Sequence, residues 1–146
     1  MAFRFSLQKI VDLKGNQKTQ AEWMLSEAIG RLRQEELSLN QLLHERNAQQ
    51  ERLSESAEHP TPVAELRFLQ QYNDHLDTLI EKKHIDLSAA QSNVDRNQKV
   101  LLDKTLDEKV WLKAREKAFG RFNEEMLKKE QEELDEIASV RFGADS

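Results

Sequence analysis

Glu58-His59-Pro60-Thr61-Pro62 is the stretch on which the fold turns. It holds both prolines of a 146-residue chain that has only four glycines. Proline lacks a backbone donor and its ring clashes with the preceding turn of a helix, so a helix that runs into this stretch stops there. Thr61 before Pro62 also reads as a helix cap followed by proline at the first helical position, where the missing N–H does no harm. The stretch predicts a turn at about residues 58–61 between two helices.

Outward from the turn the pattern is periodic on both sides. Before it, Val11, Lys18, Leu25, Leu32, Leu39, Arg46 and Leu53 recur every seven residues, interleaved with Leu7, Lys14, Ala21, Ala28, Glu35, Leu42 and Gln49. This is a heptad seam, and its polar members Lys14, Lys18, Glu35, Arg46 and Gln49 weaken it locally while suiting it to fix register. After the turn, Leu66, Leu69, Asn73, Leu76, Ile80, Lys83, Leu87, Ala90, Val94, Asn97 and Leu101 keep the same spacing. Around Thr105 to Trp111 the phase slips. A new stripe of Phe119, Phe122, Met126, Leu134 and Ile137 then runs to Arg141-Phe142-Gly143, where Gly143 is expected to form a left-handed cap.

The fold class is therefore all-α: a long two-stranded antiparallel coiled-coil hairpin, one domain over residues 1–146, with the second helix overhanging. Helix 1 is expected at about 3–57 and helix 2 at about 62–141. So short a turn makes the helices antiparallel neighbours, with residue i facing one near 121 − i. Leu53 then meets Phe68, Leu42 meets Leu79 and Leu7 lies opposite Ala114, which leaves about 25 residues of helix 2 uncovered.

Composition narrows the function. Charged residues make up 34% of the chain, above the ~25% of a compact domain, so a thick core is not expected. With no cysteine, disulfides, thiolate metal sites and thiol catalysis drop out. The histidines at 44, 59, 75 and 84 form no i, i+4 pair, and Glu81-Lys82-Lys83-His84 is a single Glu-x-x-His where a di-iron bundle needs two. Adjacent carboxylates such as Glu124 and Glu125, or Asp135 and Glu136, do not face each other on a helix, and no phosphate-cradling glycine motif is present. No catalysis, cofactor, metal or small-molecule substrate is expected. The net charge of −5 opposes nucleic-acid binding. The basic stretch Lys109, Lys113, Arg115 and Lys117 is diluted by Asp103, Asp107, Glu108 and Glu116. No run is apolar enough for a membrane span, and the start lacks a signal-peptide pattern, so a soluble chain is expected.

The two ends carry a further pattern. Phe3-Arg4-Phe5-Ser6-Leu7-Gln8-Lys9-Ile10-Val11-Asp12-Leu13-Lys14 and Lys128-Lys129-Glu130-Gln131-Glu132-Glu133-Leu134-Asp135-Glu136-Ile137-Ala138, followed by Arg141-Phe142, resemble the flagellar export FliJ family, as do the long heptads between them. The resemblance implies a soluble component of the type III export apparatus, an antiparallel coiled coil similar to the stalk subunit of rotary ATPases and without catalytic residues. It implies a place in the pore of the hexameric export ATPase FliI, contact with the export-gate membrane protein FlhA, and the handling of export chaperones. The implied location is the cytoplasm, peripheral to the membrane at the flagellar base. The family's gate contact maps onto Leu42, Tyr72, Leu76 and Leu79, with Glu45 and Gln49 where an aromatic contact is expected. The uncovered end is expected to engage the ATPase ring through Phe3, Phe5, Leu7, Phe119, Phe122, Met126, Leu134 and Ile137. A generic coiled-coil chaperone or scaffold is the alternative.

Overall fold

The computed structural model describes residues 2–144. Two helices, α1 (Gln8–Ala57) and α2 (Val63–Ala144), run antiparallel and pack on each other, with no strand among the described residues.

The helix ends follow from who satisfies their backbone groups. Helix α1 closes with Glu58 N–H donating to Glu55 O at 3.1 Å. The Thr61 hydroxyl, expected to cap α2, instead lies 2.8 Å from Ser56 O and donates back to the end of α1. The first carbonyl of α2 to accept a helical bond is that of Pro62, from Leu66 N–H at 3.1 Å, so α2 starts one residue later than Thr61-Pro62 predicted. The other end of α2 also departs from expectation. It continues through Gly143 to Ala144, and no described glycine has a positive φ, so Gly143 forms no left-handed cap.

Contacts divide the chain into two compact units. The first is Ala21–Leu101, the turn with the adjoining stretches of both helices. Its seam buries Ala21, Ala28, Leu39 and Gln49 from α1 against Leu76, Ile80, Ala90 and Val94 from α2. All of these are predicted seam positions. The charged seam positions are paired across the helices: Lys83 Nζ lies 2.8 Å from Glu35 Oε2, and Arg46 Nε 2.7 Å from Asp77 Oδ1. Phe68 is exposed rather than packed opposite Leu53, because it falls between the seam residues Leu66 and Leu69 on the outer side of α2.

The second unit comprises the described residues of Met1–Gln20 and Leu102–Ser146. Here Lys14 Nζ lies 2.7 Å from Asp107 Oδ2, and Lys18 Nζ 3.5 Å from Glu108 Oε1. Lys14 and Asp107 match the 121 − i register. Helix α1 begins at Gln8, not near residue 3, with Leu7 O accepting from Ile10 and Val11 N–H. Residues 2–5, before the Ser6-Leu7 turn, are not helical. A non-helical leg advances up to ~3.3 Å per residue against ~1.5 Å in a helix, which lets Phe3 reach Phe119 and Phe122 one helical turn apart on α2. The ring centroids are 5.1 and 5.5 Å away, the first pair edge to face. This leg shortens the overhang: α2 carries half-buried residues as far as Met126, and only from Leu127 to Gly143 is every residue exposed.

Gly30 sits mid-α1 with open space where a Cβ would stand. Glycine in a helix interior costs about 0.5–1 kcal/mol relative to alanine. Gly30→Ala is expected to raise the unfolding free energy in urea by about that amount. Gly15→Ala gains less, because its Cβ would lie 3.1 Å from Glu108 Oε2 and push on the carboxylate that pairs with Lys18. Equal gains at both positions would contradict this geometry.

Candidate interaction surfaces

Among the described residues no three His, Asp or Glu side chains gather to hold a metal ion, and all four histidines are exposed. What the fold does build is side-chain rows flanking the seam.

In the Ala21–Leu101 unit the residues expected to form the gate contact separate into two groups. Leu76 is only 3% exposed and belongs to the seam, so it has no surface to offer. Leu42 and Leu79 line one shallow groove with Ser38, Gln41, Lys82, Lys83 and Asp86. In helical terms Tyr72 is seven residues before Leu79 and Glu45 three after Leu42, so all four share one flank of the pair. The Tyr72 hydroxyl crosses the seam and donates to Glu45 Oε1 at 3.2 Å. The structure thus brings Leu42 and Leu79 into one groove, sets Tyr72 two turns away on the same flank, and leaves Leu76 in the seam. It also adds Glu45, which stands where an aromatic partner was expected. Antiparallel flank rows face each other as the seam rows do, and following that row down the sequence would have found it.

Partial burial raises the pKa of Tyr72 most, followed by the Glu45 carboxylate, which repels the phenolate and accepts the phenol's hydrogen bond. Arg52 pulls the other way.

In the unit of the two chain ends, Phe3, Phe119 and Phe122 form one aromatic cluster, and Phe3 and Phe119 line a groove with Leu112, Arg115 and Glu116. Phe5 and Met126 are half-buried and Leu7 is exposed. Leu134 and Ile137 lie beyond the cluster, 61% and 56% exposed. Leu127, Val140 and Phe142, which the sequence reading did not place in this surface, are more exposed still on the same overhang.

The profile of the family described as "Flagellar FliJ protein" matches residues 3–145. The chain belongs to that family. A flagellar FliJ protein of Bacillus subtilis (strain 168) is 27% identical over 146 residues, covering 97% of each chain. A solved structure from Chlamydia trachomatis, CT670, described as a YscO homolog, superposes with a TM-score of 0.67 at 17% identity, covering 95% of this chain and 94% of that one. At that identity the likeness concerns the fold alone. Among the described residues no helix is long and apolar enough to cross a membrane.

The chain has a single tyrosine, so ultraviolet titration reads Tyr72 alone. Loss of the Glu45 charge eases deprotonation, and Glu45→Gln is expected to lower the midpoint towards the ordinary phenol value. An unchanged midpoint would mean that the cross-helix bond is not formed in solution.

Proposed function

We propose that this FliJ family member is a component of the flagellar type III export apparatus that joins the export ATPase to the export gate. The observation that carries the reading is the family match over residues 3–145 together with two distinct surfaces, one in each unit. The overhang and the Phe3, Phe119 and Phe122 cluster would engage the hexameric ATPase FliI, with Phe5, Leu7, Met126, Leu134 and Ile137 extending that surface. The flank of Leu42, Tyr72 and Leu79 would engage the gate protein FlhA. Export chaperones are further partners on this reading, and its location is the cytoplasmic face of the membrane at the flagellar base.

A helix pair suits such a role because it can occupy an axial channel that admits no globular domain. Its two helices present unlike rows, so within a ring of identical subunits it would face different interfaces with different side chains. That asymmetry would bias which ATPase interface closes, and the pair itself would contribute no catalytic group.

Two measurements test the halves separately. Leu134→Ser/Ile137→Ser removes apolar surface that has no cover within the chain, so helicity is expected to hold while stimulation of the ATPase falls about tenfold or more. Tyr72→Ala is expected to weaken gate binding by about 30-fold, the loss typical of a ~2 kcal/mol anchor. Full ATPase stimulation by the first variant removes the overhang from the ring. Undiminished gate binding by the second removes the Tyr72 flank from the gate.

A further inference from the structure

In the packed part of the molecule the charged residues of the α1 seam follow one rule. Lys14, Lys18, Glu35 and Arg46 each face an opposite charge on α2: Asp107, Glu108, Lys83 and Asp77. Counted from Leu127, where the fully exposed overhang begins, alternating three- and four-residue steps give the row Leu127, Glu130, Leu134, Ile137 and Arg141, all exposed. This row has the composition of a seam: three aliphatic side chains and two charges.

Among the described residues neither charge has an opposite charge three or four positions away. The neighbours of Glu130 at three and four residues are Met126, Leu127, Glu133 and Leu134, and the preceding neighbours of Arg141 are Ile137 and Ala138. Among the described residues neither makes an ion pair. By contrast, Lys128 and Lys129 each have glutamates four residues away on both sides, at 124 and 132 and at 125 and 133.

We propose that the overhang pairs with the overhang of a second copy of this chain, antiparallel. Laid against itself in that direction, the row sets Glu130 opposite Arg141 of the partner copy, twice by symmetry, and Leu134 opposite Ile137, also twice. Parallel pairing would oppose Glu130 to Glu130 and Arg141 to Arg141, which repel. The antiparallel arrangement alone satisfies the charges, and the exposed aliphatic residues supply the apolar contact. Residues 127–143 span only about 25 Å, and such an interface falls short of the ~1,200 Å² of stable complexes. The pairing is therefore weak and concentration-dependent. It uses the surface assigned above to the ATPase ring, so ring binding and self-pairing exclude one another, yet it is tested on the protein alone and does not depend on that assignment.

The test is sedimentation equilibrium of the full chain from about 10 µM to 1 mM, the range in which so small an interface would bind, with circular dichroism to confirm helicity. The weight-average mass of the unmodified protein is expected to climb towards twice that of the monomer. Glu130→Arg and Arg141→Glu each place like charges opposite at both symmetric contacts and weaken association about tenfold or more. The double variant Glu130→Arg/Arg141→Glu swaps the charges and restores it. A monomer throughout the range overturns the proposal, as does a dimer indifferent to either single reversal. A double variant that stays as weak as the singles overturns the antiparallel register.

Discussion

A pair of helices has one seam, and everything either helix presents to the outside depends on where along that seam the two are matched. Leucines and alanines alone match it poorly: shifted by seven residues, a heptad pattern still sets apolar side chains against apolar ones. The charges do not tolerate the shift. Moved by one heptad, Lys83 would leave Glu35 and meet Ala28 or Leu42, and Lys14 would leave Asp107 for Val100 or Ala114. Half-exposed ion pairs contribute little net stability, about 0–1 kcal/mol each, whereas a charge caught unpaired in a seam costs several times that. The pairs therefore act mainly by making the wrong registers expensive.

Once the register is fixed, the flanks follow. Leu42 comes to the same groove as Leu79, and Glu45 comes within reach of the Tyr72 hydroxyl. Neither arrangement is local in sequence, and neither survives a shift of seven. The aromatic cluster is set in the same way, since Lys14 held at Asp107 determines how far along α2 the leg before α1 delivers Phe3. Surface chemistry in this protein is thus a consequence of seam chemistry.

Much of this is written in the sequence, because a helical seam is periodic and a proline pair interrupts it unambiguously. Every seam residue expected in the Ala21–Leu101 unit is buried or half-buried. Three features were less legible, for separate physical reasons. Thr61 has one hydroxyl proton, and the nearest carbonyl to receive it belongs to the preceding helix, a choice made in space that sequence spacing does not display. Phe3-Arg4-Phe5 alternates apolar and polar residues, the period of an extended segment, but the adjoining heptads drew the helix boundary outward. Glu45 stands out in the sequence only as the lack of an aromatic contact, because seam reading ranks apolar residues and a carboxylate that accepts a tyrosine hydrogen bond across the helices leaves no apolar signature.

The seam is also shallow. Its buried members include Ala21, Ala28 and Ala90, and among the described residues no side chain is sealed wholly from solvent. Unfolding such a structure wets less new apolar surface per residue than opening a globular core. The accompanying heat-capacity increment is correspondingly below the ~12–15 cal/mol/K per residue of globular domains. The curvature of stability against temperature is set by this increment, so a small one broadens the curve about its maximum. The stability of the helix pair thus changes gradually over a wide thermal range, with no narrow optimum.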